Sequence, residues 1–227
     1  YDLECTGNGT IDNIHECYAV GIAWCDEDGR HQYESFWNDE SYTAIQKFLD
    51  FLVDMKDEFA GYTLYAHNGG KYDMSFLLRG GLLDDDRFIL TPKRQQPVES
   101  NGCYLVVKAQ IEDDEKHTIK FHDSIRLLDG PLEKLCKEFK VEHQKLTETV
   151  SHDAITINNW HHYMEDLELY LEHDCRGLLE VLLKFNESVF EETKQVGDKY
   201  VNEVYCKQLL EAAWGCELPK KRPNWLK

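Results

Sequence analysis

Four carboxylates and one tyrosine have an order and spacing that suit the metal-dependent hydrolysis of phosphodiesters. Asp2 and Glu4 are separated by one residue, and Asp73 follows a pair of glycines. Tyr170 stands four residues before Asp174 in the C-terminal half. Two divalent ions about 3.5–4 Å apart can activate a water and stabilise the leaving oxygen of a phosphodiester. Because oxygen ligands favour magnesium or manganese over zinc, the sequence predicts two Mg²⁺ or Mn²⁺ ions as cofactors.

The elements that carry these residues would present them to a common site. On a strand, Asp2 and Glu4 point to the same face, where two like charges repel unless a cation neutralises them. On a helix, Tyr170 and Asp174 are neighbours. Asp73 follows a short apolar strand and begins a helix, where an anion is favoured. Taken alone, each motif also fits a structural explanation: a solvated strand end for Asp2 and Glu4, a helix cap for Asp73, and an exposed helix carboxylate for Asp174. The functional prediction therefore rests on their joint order.

The apolar pattern predicts strands that alternate with helices and then give way to a helical C-terminal half. We predict strands at 18–24, 31–37, 63–66, 103–111 and 118–122. Helical spacing follows Ser41, a candidate N-cap, and ends at Gly61; further helices are predicted at 74–78, around 132–139, within 158–192 and near 200–214. The fold class is therefore α/β, with a mixed central β-sheet flanked by helices.

Composition excludes several classes of protein. Asp and Glu number 43 against 25 Lys and Arg, which gives a net charge of −18 and argues against a generic DNA-coating protein. An acidic nucleic-acid enzyme stays possible, since carboxylates recruit the cations that then meet the phosphates. The longest apolar runs fall far short of the roughly 20 residues of a membrane span. The eight cysteines lack a C-x-x-C pair, which favours an intracellular, reducing compartment.

The three acidic motifs together resemble those of the DEDD 3′–5′ exonucleases, in the form with tyrosine. The segment from Ala66 to Asp73, AHNGGKYD, is most similar to the protein-primed family B DNA polymerases of phages, viruses and linear plasmids. The stretch from His122 to Ile125 is similar to that family's Ser/Thr-Leu-type motif, which contacts the single strand. The resemblance implies an RNase H-like fold and the 3′ end of single-stranded DNA as substrate, with proofreading as the purpose.

The resemblance also implies roles for individual residues. The metal ligands would be Asp2, Glu4, Asp73 and Asp174. The other catalytic residues would be Tyr170, which orients the attacking water, and Lys145, which neutralises phosphate charge in the transition state. The residues that hold the last two nucleotides would be Thr6, Asn68, Tyr72, Ser124 and Ile125.

The sequence departs from the family pattern at several positions. Cys5 stands where the family often has threonine, Ile125 replaces a leucine, and Val150 stands near the position of an expected tyrosine. No polymerase palm follows the motifs, so we expect an exonuclease region separated from a longer polymerase. We predict an exonuclease domain over 1–192, and over 193–227 a helix and basic tail that link to a polymerase domain. That domain and a terminal protein are the partners implied for the parent chain.

Two other functions fit the same sequence. A free-standing nuclease of the DEDD superfamily would trim RNA, although the stretch around Ser124 disfavours this hypothesis. A non-catalytic module derived from such a nuclease would bind nucleic acid or a protein, although the presence of all four carboxylates and Tyr170 argues against decay.

Overall fold

The computed structural model describes residues 1–6, 15–91, 98–100, 103–146, 151 and 154–200. The predicted helix near 200–214, the basic tail and Val150 lie outside the described residues, as does most of the polar stretch at 92–102. No helix in these ranges is long and apolar enough to span a membrane.

Eight strands are found among the described residues. They are β1 Asp2–Cys5, β2 Cys17–Cys25, β3 His31–Trp37, β4 Thr63–Ala66, β5 Phe88–Thr91, β6 Val98–Ser100, β7 Cys103–Ile111 and β8 Asp114–Asp123. The α-helices are α1 Ala44–Asp54, α2 Asp73–Leu77, α3 Leu132–Phe139 and α4 Met164–Tyr200. A π-helical turn, Leu78–Leu82, extends α2, and short 3₁₀ turns follow β8 and precede α4.

The strands form two hydrogen-bonded sheets. In the first, β1, β2 and β3 pair antiparallel in that order. In the second, the order is β4, β8, β7, β5, with β6 also on β7, and β4 and β8 are parallel while the other pairs are antiparallel. The predicted α/β fold, with a mixed β-sheet flanked by helices, is thus confirmed.

The first strand lies at the seam between the two sheets. The backbone nitrogen of Tyr1 donates a hydrogen bond to the carbonyl oxygen of Tyr65 on β4, at 2.8 Å. The side chains of Tyr1 and Leu3 are buried in the main core, with Phe48 of α1 and Phe121 of β8 around the Tyr1 ring. Since β1 alternates, its two acidic residues point away from this core.

A close contact between β2 and α4 fixes the long helix against the first sheet. A Cβ atom on Gly21 would lie 2.7 Å from Leu171 Cγ and 2.9 Å from Cys175 Sγ, so a side chain has no room there. Gly21 is also the residue that pairs with Asp2 in the sheet register. The contact therefore places Asp174, which lies between the two packed positions of α4, close to the first acidic strand.

Some predicted boundaries are wrong for local reasons. Helix α1 begins after Thr43, not Ser41, because Thr43 and Gln46 form a reciprocal capping box. The helix ends at Asp54 rather than reaching Gly61, and irregular turns complete the connection. Helix α4 continues past residue 192 to Tyr200, so its backbone has no break at the predicted domain boundary. That boundary stays a prediction.

The Gly21 contact yields a stability prediction. Gly21→Ala should lower the free energy of unfolding by about 1–3 kcal/mol, because the added methyl overpacks the interface with α4. Urea denaturation measures the loss. Leu171→Ala alone should also lower the free energy of unfolding. The loss in the double variant should be smaller than the sum of the two single losses, by at least about 0.5 kcal/mol, since the smaller side chain admits the methyl. Additive losses would contradict this contact as the cause.

Candidate active site

A cleft of about 650 Å³ opens beside β1 and α4. Seven of the predicted site residues line it: Asp2, Glu4, Asn68, Ile125, Lys145, Tyr170 and Asp174. These residues come from β1, from the loops after β4, β8 and α3, and from α4. The cleft thus brings together residues that lie more than 170 positions apart in the sequence. The other four predicted residues, Thr6, Tyr72, Asp73 and Ser124, do not line this cleft.

The first acidic strand contributes two carboxylates to the cleft. Glu4 is buried and Asp2 is half-buried. The hydroxyl of Tyr18 lies 3.5 Å from Glu4 Oε2. Burial, followed by the Asp73 carboxylate, raises the pKa of Asp2 to about 7. Burial likewise raises the pKa of Glu4, with Asp2 and Asp174 as the next causes.

Asp73 lies behind the cleft and joins two elements. It is the first residue of α2, where an anion is favourable, and its Oδ1 accepts a hydrogen bond from the backbone N–H of Leu3 at 3.1 Å. Its carboxylate also interacts electrostatically with that of Asp2. Asp73 therefore fixes β1 against α2, and a supporting role toward Asp2 fits its position.

Helix α4 contributes the remaining carboxylate and the tyrosine. Asp174 is 5 % exposed, and its Oδ2 forms an ion pair with Lys145 Nζ. The same ammonium lies over the ring of Tyr170, 4.7 Å from the ring centre. Burial raises the pKa of Asp174 to about 6 and that of Tyr170 to about 12. Burial alone would lower the pKa of Lys145, but the Asp174 carboxylate outweighs it and raises that pKa.

Asp174 offers a carboxylate oxygen that suits a divalent cation. Asp174 Oδ1 is buried, and within the described residues it has no hydrogen-bond partner. An unpaired buried carboxylate oxygen is costly, and a cation would satisfy it. As the side chains stand, no three His, Cys, Asp or Glu in the described ranges form a ready cage for an ion. The Lys145 ammonium is already paired with the other oxygen of Asp174, so this lysine would have to move before an ion could bind there.

The loop after β4 presents Asn68 to the cleft. Asn68 has a φ of +62°, and it is exposed. Asp123, at the end of the neighbouring β8, holds this loop: its Oδ1 accepts from the Asn68 N–H at 2.8 Å, and its Oδ2 accepts from the Gly70 N–H at 3.1 Å. The glycines serve close packing, since a Cβ on Gly70 would lie 2.4 Å from the Tyr104 carbonyl oxygen.

Two of the residues predicted to contact nucleotides already form hydrogen bonds within the protein. Ser124 is fully buried; its hydroxyl donates to the Ala66 carbonyl at 3.2 Å and lies 3.0 Å from His67 Nδ1. Thr6 is 1 % exposed, and its hydroxyl oxygen accepts from the Glu16 N–H at 3.0 Å. In contrast, Tyr72 is 63 % exposed and does not line the cleft.

Sequence reasoning missed residues that shape the site. His67 lines the cleft; its Nε2–H donates to the Gly130 carbonyl at 2.7 Å, and its Nδ1 lies 3.0 Å from the Ser124 hydroxyl oxygen. Asp129 and Glu133 also line the cleft. His67 and Asp123 adjoin predicted contact residues, which is the signal that could have identified them. Asp129 and Glu133 carry no such signal in the sequence.

Comparison with known proteins gives relatives among phage replication enzymes. The chain is 25 % identical over 153 residues to the DNA-directed DNA polymerase of Enterobacteria phage PRD1. In fold it is similar to Phi29 DNA polymerase complexed with single-stranded DNA, with a TM-score of 0.56 and 16 % identity over 91 % of this chain. A binary complex of Phi29 polymerase with primer-template DNA gives a TM-score of 0.54 over 82 %. No protein-family model matches the chain.

These comparisons confirm the predicted resemblance to a protein-primed phage DNA polymerase, in sequence and in fold. The matched region is 67 % of this chain and 22 % of the PRD1 polymerase. The chain likewise covers 35 % of the Phi29 polymerase chain. It thus spans a minor part of the length of each relative.

The Lys145–Asp174 pair yields a second stability prediction. With EDTA present, Lys145→Met should lower the free energy of unfolding by about 1–3 kcal/mol, because it leaves Asp174 buried and unpaired. Adding Asp174→Asn should recover part of that loss. Lys137→Met is the matched control, since its pair with Glu133 is 65 % and 59 % exposed and should change stability by less than about 0.5 kcal/mol. Equal losses in urea denaturation for the two lysine variants would refute the buried pair.

Proposed function

We propose that the chain is a metal-dependent 3′–5′ exonuclease that hydrolyses the terminal phosphodiester of single-stranded DNA. It would be the proofreading part of a family B DNA polymerase and act in DNA replication. The observation that carries the proposal is the meeting of Asp2, Glu4, Asp174, Tyr170 and Lys145 at one cleft.

The carboxylates are suited to hold a pair of divalent ions. Asp2, Glu4 and Asp174 would bind Mg²⁺ or Mn²⁺, and Asp73 would support Asp2 from behind. When bound, such ions lower the pKa of a water and neutralise the charge on the leaving oxygen. Asp174 Oδ1, which has no hydrogen-bond partner in the part of the chain that the structure describes, supports this assignment, since a cation would supply one.

Tyr170 and Lys145 would act on the water and the phosphate. The raised pKa of Tyr170 keeps its hydroxyl protonated at neutral pH, so it would orient the attacking water rather than remove its proton. Lys145 would carry its positive charge to the phosphoryl oxygens, where it stabilises the developing negative charge. The products would be a nucleoside 5′-monophosphate and a strand shortened by one nucleotide.

The 3′ end would be held at the mouth of the cleft. Asn68 and Ile125 line it, and the exposed ring of Tyr72 offers a face on which a base can stack for about 1–3 kcal/mol. Ser124 and Thr6 would contribute by shaping the backbone under the strand, because their hydroxyls are already bonded within the protein.

The comparisons support DNA rather than RNA as substrate. The sequence relative is a DNA-directed DNA polymerase, and the Phi29 structures include complexes with single-stranded and primer-template DNA. A polymerase domain and a terminal protein would be partners of the parent chain. Comparing digestion rates on DNA and RNA of one sequence tests this preference, and faster digestion of RNA would support the free-standing RNA nuclease instead.

Removal of the first acidic pair tests the activity itself. Asp2→Asn with Glu4→Gln should reduce Mg²⁺-dependent shortening of a 3′-terminated single strand by more than about 100-fold, because the ions lose their ligands. Electrophoresis of a 5′-labelled oligonucleotide measures the shortening. Asp84→Asn with Asp86→Asn is the matched control, since these two carboxylates are exposed and share the one-residue spacing. Equal activity of both double variants would reject the assignment.

Ion binding should also appear without substrate. Saturating Mn²⁺ should stabilise the wild-type chain, by about 2.7 kcal/mol at a concentration 100 times the dissociation constant. The shift in unfolding temperature should persist in the Asp84→Asn, Asp86→Asn variant and disappear in Asp174→Asn. A wild-type chain with no shift would instead favour the non-catalytic binding module.

A further inference from the structure

The backbone segment that ends at Lys145 runs along α4 and is fixed to it at successive turns. This segment, residues 139–145, leaves the C-terminal end of α3 and leads to the cleft. Four residues of α4 touch it in reverse order of sequence: Lys184, Glu180, Gly177 and His173. Because they are spaced three or four residues apart, they lie on one face of the helix.

Lys184 holds the start of the segment. Its Nζ donates to the Phe139 carbonyl at 3.1 Å and to the Lys140 carbonyl at 2.8 Å. Both carbonyls belong to the end of α3, where the last helical acceptors lack intrahelical partners. Lys140 has a left-handed backbone with a φ of +52°, so the chain turns sharply out of α3 at this position.

Glu180 holds the middle of the segment through both of its oxygens. Its Oε2 accepts from the backbone N–H of Glu142 at 2.7 Å and of His143 at 3.3 Å. Its Oε1 accepts from the His143 ring Nδ1–H at 2.5 Å. Glu180 is 8 % exposed and lies outside the cleft. A buried carboxylate is costly unless it is hydrogen-bonded, and these bonds supply that requirement.

The last turn before the cleft completes the attachment. A Cβ on Gly177 would lie 2.6 Å from the His143 carbonyl oxygen, so the helix and the segment are in close backbone contact. One turn further along, His173 Nδ1–H donates to the Gln144 carbonyl at 2.9 Å. The next residue is Lys145, whose ammonium reaches Asp174 on the same helix.

We infer that Glu180 is a positioning residue for Lys145: by fixing the 142–143 backbone to α4, it sets the register at which the Lys145 ammonium meets Asp174 and Tyr170. A slip of one residue would move Lys145 by about 3.3 Å along an extended chain, beyond the reach of an ion pair. The inference rests on the proposed function only for its catalytic consequence, since the positioning itself is a property of the ion-free protein.

The first test measures positioning without nuclease activity. Trace acylation of lysines, followed by mass spectrometry, reports how accessible the Lys145 amine is. In Glu180→Ala, the labelling rate of Lys145 should rise about threefold or more, because the segment opens locally. Glu180→Gln keeps an oxygen for the two backbone N–H groups and should stay near the wild-type rate. Glu187→Ala, an exposed position on the same helix, is the matched control and should not change it.

The second test asks whether Glu180 acts through Lys145. Glu180→Ala should lower kcat for single-strand digestion about tenfold with KM unchanged, since small misplacements of catalytic groups cost rate. In a Lys145→Met background the same substitution should cause no further loss. Lys184→Met loosens the other end of the segment, so it should show both the faster Lys145 labelling and the lower kcat, each to a smaller degree. It replaces Glu180→Ala if that variant does not fold.

The outcomes separate the two proposals. An unchanged Lys145 labelling rate in a folded Glu180→Ala chain overturns the positioning role, whatever the activity. A further loss of kcat in the Lys145→Met background also overturns it, because Glu180 would then act elsewhere. A wild-type chain with no nuclease activity rejects the proposed function alone, and the labelling experiment then decides the positioning by itself.

Discussion

The imbalance of charge at one end of β1 is the constraint on which the site depends. Asp2, Glu4, Asp73 and Asp174 interact electrostatically there, and Lys145 is the single Lys or Arg among the described residues that line the cleft. Burial and mutual repulsion raise the pKa values of these carboxyl groups. We propose that divalent cations relieve this repulsion when they bind.

Three contacts between distant parts of the chain maintain that imbalance. Asp73 accepts from Leu3 and so joins α2 to β1. Gly21 admits α4 close to the strand that pairs with Asp2. The 139–145 segment follows α4 and delivers Lys145 to Asp174. Each contact involves an α-helix and helps to hold the charged groups together beside β1, so disturbing any of them would separate these charges.

Much of the fold and part of the site could be predicted from the sequence. The bounds of β3, β4 and β7 agree with the apolar pattern, because that pattern is local. The convergence of Asp2 and Asp174 was predicted from motif order alone. Glu180 gave no signal, since its partners are backbone groups and a histidine ring far along the chain. Ser124 is buried rather than facing the cleft because its hydroxyl bonds to β4, which no spacing rule indicates.

The most direct measurement is anomalous X-ray diffraction from crystals of the chain grown or soaked with Mn²⁺. We expect two anomalous peaks within coordination distance of the Asp2, Glu4 and Asp174 carboxylates, with the Lys145 ammonium displaced from Asp174. Peaks confined to exposed carboxylates elsewhere, or a cleft without any peak at saturating Mn²⁺, would contradict the proposed metal site.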